Sequence, residues 1–192
     1  AQGQQTAVAY LMVDALRFEM GMSLADLLRG AGAEDVRVEP AVASAPTVTD
    51  VGMVALLPGA DRSFTVAEGK SSVVGSIDGK LIESSSLRMD HAKAKVPGLK
   101  EMSMDHLLYE SSQKELKQAV QAPALVVRSQ EIDGSGESLP SGVARKVMGT
   151  VLDDVRKAVL RLAEHGVERF VITADHGHLF GAPKGEEMRI DP

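Results

Sequence analysis

Short apolar segments of strand length alternate along this chain with longer amphipathic segments of helical period. The strand-like segments are residues 7–13, 123–128 and 170–173, and residues 143–165 repeat apolar side chains at helical spacing. Strands separated by helices pair in parallel through crossovers, and helices then cover both faces of the sheet. We therefore expect an α/β fold, a three-layer α/β/α sandwich with a mostly parallel sheet.

The amino-terminal third of the chain continues this rhythm. Residues 16–28 have a helical apolar pattern that ends in glycines, and residues 36–42 alternate apolar and polar side chains as a strand does. Residues 51–57 predict a short helix that ends at a Pro-Gly pair. A second strand and a second helix are thus expected before residue 60.

The middle of the chain departs from the strand-helix alternation. Residues 64–86 contain apolar-polar alternation broken by two glycine turns, which predicts an inserted β-hairpin or meander. Residues 103–120 predict one helix. We expect residues 1–192 to form one domain, in which residues 60–122 are an insertion and a candidate lid over the site.

Composition limits the chemistry. The chain has 192 residues, a formal net charge of −6 and no cysteine. A metal must therefore be held by Asp, Glu, His or hydroxyl groups, and the negative charge gives no support to general electrostatic capture of nucleic acid. We expect a cytoplasmic protein without a membrane span. Because the sequence does not begin with Met, we expect a piece of a longer protein.

Acidic residues follow the three strand-like segments. Asp14 comes directly after the first, Asp133 lies in the polar exit of the second, and Asp175 with His176 follows the third. Parallel strands would bring these groups to one edge of the sheet, where a divalent cation would relieve their repulsion. The alternatives are that Asp14 caps the next helix and that Asp133 lies in a solvated loop together with Glu137.

Two threonines precede the helix predicted at residues 51–57. A hydroxyl at Thr47 or Thr49 could act as a nucleophile if a metal or a base removes its proton. The structural alternative is a capping box that runs from Thr47 to Asp50, which has the correct spacing. The residues alone leave both interpretations open.

Six short segments occur in a fixed order through nearly the whole chain: residues 13–17 (VDALR), 46–53 (PTVTDVGM), 56–58 (LLP), 77–79 (IDG), 132–133 (ID) and 173–177 (TADHG). Together they resemble the PglZ domain, a branch of the alkaline phosphatase superfamily found in BREX and phage-growth-limitation defence systems of bacteria. An ordered set of this kind is much more specific than any one of its members.

The resemblance implies roles for individual residues. Asp14, Asp175 and His176 would bind one divalent metal, Zn²⁺ or else Mn²⁺ or Mg²⁺, and Thr49 would be the nucleophile, with Thr47 as the alternative. Asp133 would belong to a second metal site. The family pattern has a His four residues after that Asp, where this chain has Glu137, and no later His follows His178. Either Glu137 substitutes and another ligand lies elsewhere, or the chain holds one metal or none.

The implied function is metal-dependent phosphoryl transfer to water. The substrate would be a phosphate ester, so that the enzyme would be a phosphatase or a phosphodiesterase, with nucleic acid as a candidate substrate and other phage-defence proteins as partners. Arg17 either contacts a phosphate oxygen or is a surface residue of its helix. The alternative function is a non-catalytic scaffold module in a multi-protein defence complex.

Overall fold

The computed structural model describes residues 8–178, apart from the side chains of residues 137 and 141. Its strands are β1 (Val8–Val13), β2 (Phe64–Glu68), β3 (Val73–Ile77), β4 (Lys80–Leu81), β5 (Lys100–Ser103), β6 (Ala124–Ser129) and β7 (Arg169–Thr173). Its α-helices are α1 (Phe18–Gly30), α2 (Thr49–Ala55), α3 (Ala60–Ser63), α4 (Ser85–Lys95), α5 (Gln113–Ala119), α6 (Glu131–Ser138) and α7 (Ser141–Ala163), and a π-helix spans His106–Glu110.

Four strands form one parallel sheet in the order β5-β6-β1-β7. The register places Val8 opposite Ala124 of β6 on one side and opposite Arg169 of β7 on the other. Since parallel neighbours need crossovers, the helices that join these strands lie over the faces of the sheet. The carboxyl ends of β6, β1 and β7 therefore come together at one edge.

Side chains of the parallel sheet alternate between two hydrophobic cores. Leu11 and Val13 of β1 belong to a core with side chains of α1 and α7, whereas Met12 belongs to a core with side chains of α2, α4 and β3. The same alternation divides Val127 from Val126 in β6. Two cores on opposite faces of one sheet confirm the expected α/β/α layering.

An antiparallel sheet of β2, β3 and β4 lies beside α2 and confirms the predicted hairpin. The packing of β3 on α2 depends on Gly75, because a Cβ at this position would lie 2.5 Å from Cβ of Val54. No real Cβ contact is that short, so the lack of a side chain sets how closely the hairpin approaches α2.

The prediction of a strand at residues 36–42 is wrong. No strand is assigned to residues 36–42, and Val42 is 99% exposed. Alternation of apolar and charged residues specifies an extended chain, but it does not supply a partner strand, and Pro40 lacks the N–H that a ladder requires.

The single helix predicted at residues 103–120 is also wrong. This segment begins with the end of β5 and continues through the π-helix and α5, and Ser112 starts α5 by accepting a hydrogen bond from the Glu115 N–H. The helical spacing of the apolar residues hid this break, because Leu107 and Leu116 are both fully buried in the same core. The region expected as an insertion thus contributes β5 to the parallel sheet.

Three helices were not predicted, of which α3 is the shortest. The charged segment Ser85–Lys95 forms α4, with Ser84 as its side-chain cap, and the exit from β6 forms α6 where a loop was expected. Glycines weaken the helical signal of α6, but Ile132 is fully buried and fixes this helix against the core. Within residues 8–178 no helix is both long and apolar enough to cross a membrane.

Candidate metal centre

The three acidic positions lie at the ends of three adjacent strands. Asp14 follows β1 directly, Asp175 comes just after β7, and Asp133 lies in the first turn of α6, which follows β6. Because β6 and β7 flank β1, residues from distant parts of the chain meet at the carboxyl edge of the sheet. Ligand crevices of open α/β sheets lie at this edge.

Asp14, Asp133 and His176 form the centre of this cluster. Each offers one ligand atom, and these atoms all lie within 4.8 Å of one another. Asp14 is 1% exposed and His176 is 9% exposed, whereas Asp133 is half-buried. Two carboxylate oxygens and an imidazole nitrogen at this spacing are a donor set suited to one divalent cation.

Asp175 lies beside these three residues and has one oxygen without a donor. Its Oδ1 accepts a hydrogen bond from the Ala15 N–H at 3.3 Å. Its Oδ2 is buried, makes no hydrogen bond within the described part of the chain, and lies 3.4 Å from Nε2 of His176. A buried carboxylate oxygen without a partner is costly, so this atom also fits a site built to receive a cation.

The imidazole of His176 is oriented by its own backbone. Nδ1 lies 2.9 Å from the carbonyl oxygen of Gly177, which can only accept, so Nδ1 carries the proton. The lone pair of Nε2 then points toward the acidic residues, 3.5 Å from Oδ1 of Asp14. This is the tautomer that a metal-binding histidine requires.

Electrostatics in the cluster favour protonation of Asp14. Burial is the largest cause, and the nearby charges of Asp175 and Asp133 add to it, so that the pKa of the Asp14 carboxyl rises to about 7 from its ordinary value of 3.8. The positive charge of a protonated His176 would oppose this rise without cancelling it. A bound cation would act in the opposite direction, because it stabilises the ionised carboxylates.

The turn after β1 has a strained backbone. Ala15 is fully buried and has a φ of 59°, a left-handed conformation that a residue with a Cβ seldom adopts. The Asp14 N–H extends the pairing with β6 by donating to the Ser129 carbonyl at 2.9 Å. Pairing up to Asp14 followed by a sharp turn holds its side chain at the edge of the sheet, and such strain is typical of functional sites.

Thr49 is the hydroxyl that the fold brings to this cluster. Its Oγ1 lies 3.1 Å from Nε2 of His176 and 3.4 Å from Oδ1 of Asp14. Thr47, by contrast, is exposed and lines a wide groove of about 1650 Å³ along β7 and α1. The two threonines therefore occupy different surroundings although one residue separates them.

A glycine lets α2 approach the cluster. A Cβ on Gly52 would lie 2.6 Å from the carbonyl oxygen of Asp175, which is much closer than a real contact. Gly52 lies in the first turn of α2, which begins at Thr49. The close contact of α2 with the end of β7 places the hydroxyl beside the carboxylates.

The structural alternatives for these residues are wrong. The N-cap of α2 is Val48 and makes no side-chain capping bond, so Thr47 and Asp50 do not form a capping box. The N-cap of α1 is Arg17 and not Asp14. Asp133 lies in α6 and not in a loop.

The remaining predicted residues lie around the cluster. Nδ1 of His178 donates to the Ala15 carbonyl at 3.1 Å, which makes His178 a neighbour of the turn. Arg17 begins α1 and pairs with Glu19 through its Nε at 3.2 Å. The side chain of Glu137 lies outside the described part of the structure.

Two arginines near Thr49 were not predicted. Arg88 of α4 and Arg128 of β6 line a small cavity of about 20 Å³ together with Thr49. The sequence holds one signal for Arg128, which is a charged residue at the end of an apolar strand. Arg88 has no such signal, because its helix was not predicted.

Comparisons with known proteins identify the family. A family model described as the BREX system PglZ alkaline phosphatase-like domain matches residues 1–189. No match was found among curated proteins or among solved structures. The matched range covers nearly the whole sequence and includes every residue of the acidic cluster. This chain therefore belongs to the PglZ family, the alkaline phosphatase-like domains of BREX phage-defence systems.

Proposed function

We propose that this chain is a metal-dependent phosphoesterase in which Thr49 is the nucleophile. The observation that carries the proposal is the position of the Thr49 hydroxyl, 3.1 Å from Nε2 of His176 and 3.4 Å from Asp14, beside donor atoms grouped as a cation would require. A structural threonine has no need of such surroundings. Alkaline phosphatase-like domains typically use divalent metals, which supports the same conclusion.

The residues present fit a divalent cation. Asp14, Asp133 and His176 would hold it, and Asp175 would contribute its unpaired Oδ2. We propose Zn²⁺ before Mn²⁺ or Mg²⁺, because imidazole is a good ligand for zinc, whereas the other two ions favour oxygen ligands. When bound, such an ion lowers the pKa of a neighbouring hydroxyl and stabilises negative charge on phosphoryl oxygens.

The side chains then divide the chemical work. The carboxylate of Asp14 lies 3.4 Å and 3.5 Å, through its two oxygens, from Oγ1 of Thr49 and can accept its proton. Oγ1 attacks the phosphorus, a bond from Thr49 to phosphorus forms, and the bond to the leaving-group oxygen breaks. Water then hydrolyses the phosphothreonine, which regenerates the hydroxyl and releases the phosphoryl product.

Membership of a BREX family implies other defence proteins as partners, and a phosphodiester is the substrate type that suits such a setting best. We propose phosphodiesterase activity, with nucleic acid as one candidate substrate. The wide groove along β7 and α1, which includes Asp175 and His176 in its lining, is large enough to admit a chain-like substrate.

A pair of isosteric substitutions tests the proposal. Thr49→Val removes the hydroxyl and keeps the shape, and we expect it to lower hydrolysis of bis(4-nitrophenyl) phosphate by about 1000-fold or more in the presence of Zn²⁺ or Mn²⁺. Thr47→Val is the matched control and should keep the activity. Full activity in Thr49→Val, with thermal unfolding unchanged, would refute Thr49 as the nucleophile, whereas no metal-dependent hydrolysis by the unchanged chain would favour a scaffold role.

A further inference from the structure

A small cavity borders Thr49 and carries positive charge. Its apolar lining includes Met53 and Met89, and its polar lining includes Ser85, Arg88 and Arg128. The acidic cluster supplies no lining residue to this cavity. Thr49 thus borders two regions, one with acidic side chains and one with basic side chains.

Two separate elements bring the arginines together. Arg128 lies near the carboxyl end of β6, in the same parallel sheet as the acidic cluster. Arg88 and Ser85 lie in α4, which follows the antiparallel hairpin, and the hairpin packs closely on α2 through Gly75. Met89 of α4 packs in one core with Ile77 of β3 and with Met12 of the parallel sheet, so both layers position α4.

The guanidinium of Arg128 is held by two partners, and one of its hydrogen-bond donors has no acceptor among residues 8–178. Its Nη1 donates to Oγ of Ser85 at 2.8 Å, and its Nη2 pairs with Glu101. Its Nε is buried and has no hydrogen-bond partner among residues 8–178. A fixed guanidinium with an unused donor is suited to an anion with several oxygens.

Arg88 adds a second positive charge with a weak internal partner. Its side chain is 11% exposed, and its ion pair with Asp50 is long, 3.4 Å, to a carboxylate that is 42% exposed. Glu101 is shared between Arg128 and Lys93, whose Nζ lies 3.6 Å away. Asp50 and Glu101, the carboxylates that pair with the two arginines, do not line the cavity, so the charged side chains in its lining are both cationic.

We propose that Arg88, Arg128 and Ser85 form a subsite for a second phosphate group of the substrate. The inference rests on the proposed function, because it takes the phosphoryl group attacked by Thr49 as the first. A cavity of about 20 Å³ admits phosphate oxygens but neither a base nor a sugar. The substrate class is a phosphate ester with a neighbouring phosphate, as in a nucleoside polyphosphate or a nucleotide chain.

Phosphate binding without metal tests this subsite directly. Inorganic phosphate is titrated into the full chain in the presence of a chelator, and binding is followed by calorimetry. We expect Arg88→Gln and Arg128→Gln each to weaken phosphate binding about tenfold, the usual loss for one charge-assisted hydrogen bond. Arg156→Gln is the matched control, because Arg156 has a similarly half-buried, ion-paired guanidinium on α7 outside the cavity lining.

Unchanged phosphate affinity in both cavity variants, or an equal loss in Arg156→Gln, would overturn the subsite. If Arg128→Gln does not fold, Arg88→Gln and Ser85→Ala decide the matter, since Ser85→Ala removes one support of Arg128 without a change of charge. Ser85→Ala should weaken phosphate binding by a smaller factor than Arg88→Gln. No loss in either variant would also reject the proposal.

A matched pair of substrates tests the same subsite during turnover. The 5′-phosphorylated dinucleotide pTpT and the unphosphorylated TpT have the same diester and differ by one phosphate. We expect pTpT to have the lower KM, and Arg88→Gln to reduce this difference by raising the KM for pTpT more than the KM for TpT. The subsite would be contradicted if pTpT and TpT had equal KM values and if pyrophosphate inhibited hydrolysis of TpT more weakly than inorganic phosphate does.

Failure of this inference is distinct from failure of the proposed function. Phosphate binding in chelator does not require Thr49 to react, and hydrolysis of bis(4-nitrophenyl) phosphate does not require a second phosphate. Pyrophosphate and pTpT are compared as inhibitors of bis(4-nitrophenyl) phosphate hydrolysis. Stronger inhibition by pyrophosphate indicates a polyphosphate substrate, and stronger inhibition by pTpT indicates a nucleotide chain.

Discussion

Thr49 lies between two regions, the acidic cluster around Asp14 and the cavity lined by Arg88 and Arg128. The charges of these two regions are compensated in different ways. In the cluster, Asp14 and Asp175 are buried with one neighbouring imidazole, and an oxygen of Asp175 has no donor within residues 8–178. In the cavity, Arg88 and Arg128 each have a carboxylate partner within the protein. The buried carboxylates of the cluster therefore need an added cation. The two arginines already have carboxylate partners, which an incoming phosphate could replace.

The two regions also come from different layers of the fold. The cluster is built at the carboxyl edge of the parallel sheet, from the ends of β6, β1 and β7. The cavity adds α4, which packs in one core with Ile77 of the inserted hairpin and with Met12 of β1. The proposed cation site is therefore built from the sheet, whereas the proposed phosphate subsite combines a residue of the sheet with residues of α4.

The largest expected effect comes from neutralising the cluster. Asp14→Asn should lower metal-dependent hydrolysis by about 1000-fold or more, because it removes both a ligand and the proton acceptor for Thr49. The same change should raise the free energy of unfolding of the metal-free protein at pH 7.5, since it removes a buried like charge.

Activity assays and denaturant unfolding in chelator measure the two effects. Asp26→Asn is the control, because Asp26 is an exposed carboxylate paired with Arg29 on α1. A metal-free Asp14→Asn protein that is less stable than the unchanged chain would show that the cluster is not strained by repulsion.

Two glycine substitutions should disturb the two regions separately. Gly52→Ala would place a Cβ 2.6 Å from the Asp175 carbonyl oxygen, and Gly75→Ala would place one 2.5 Å from Cβ of Val54. We expect each to lower the free energy of unfolding by about 1–3 kcal/mol, as overpacking does. Gly52→Ala should also lower activity by about 100-fold, since displacement of Thr49 by 1 Å is enough to do so.

Binding measurements separate the consequences. Gly52→Ala should weaken metal binding, and Gly75→Ala should weaken phosphate binding more than metal binding. Gly149→Ala on α7 is the control, where a Cβ meets nothing within 4 Å. It should stabilise the protein by about 0.5–1 kcal/mol. The same pattern of losses in both glycine variants would mean that the two regions are not independent.

The metal-free protein should become less stable as the pH rises from about 4 to about 7. The folded-state pKa of Asp14 is raised to about 7 from 3.8, so in this window the folded state binds more protons than the unfolded chain, and ionisation disfavours folding. Denaturant unfolding at pH 5 and pH 7.5 in chelator measures the effect. Zn²⁺ should remove the difference at pH 7.5, and Asp14→Asn should reduce it.

The smallest expected effect comes from the weak ion pair of the cavity. Asp50→Asn should change the free energy of unfolding by less than about 1 kcal/mol, because the carboxylate is partly exposed and the pair is long. It should strengthen phosphate binding severalfold, since it leaves Arg88 with less competition. A phosphate titration checks this expectation, and weaker binding would mean that Asp50 holds Arg88 in its binding position.

The sequence predicted three of the four strands of the parallel sheet, and the acidic residues at their ends, because these have local signals. An apolar run that ends in an acidic residue, as at Asp14 and Asp175, specifies a buried strand and its exit without reference to the rest of the chain. Parallel pairing then brings the ends together. Proximity of Thr49 to the cluster could be anticipated only through the family resemblance, since the spacing of Thr47 to Asp50 fitted a capping box equally well.

The cavity could not be predicted for the opposite reason. Arg88 lies in a charged segment whose helix was missed, and its distance from Arg128 depends on how the hairpin packs against α2. The strand prediction at residues 36–42 failed for a related reason, because alternation of apolar and polar residues does not identify a partner strand. Features that require one layer to be placed on another leave little trace in local periodicity.

The position of β1 between β6 and β7 also determines when during synthesis the site can exist. The Ala15 N–H and its acceptor Asp175 are 160 positions apart in the chain, so the first strand leaves the ribosome long before its last neighbour. Until β7 has been translated and has docked, His176 is not beside Asp14. A product that terminates before β7 therefore lacks the assembled cluster.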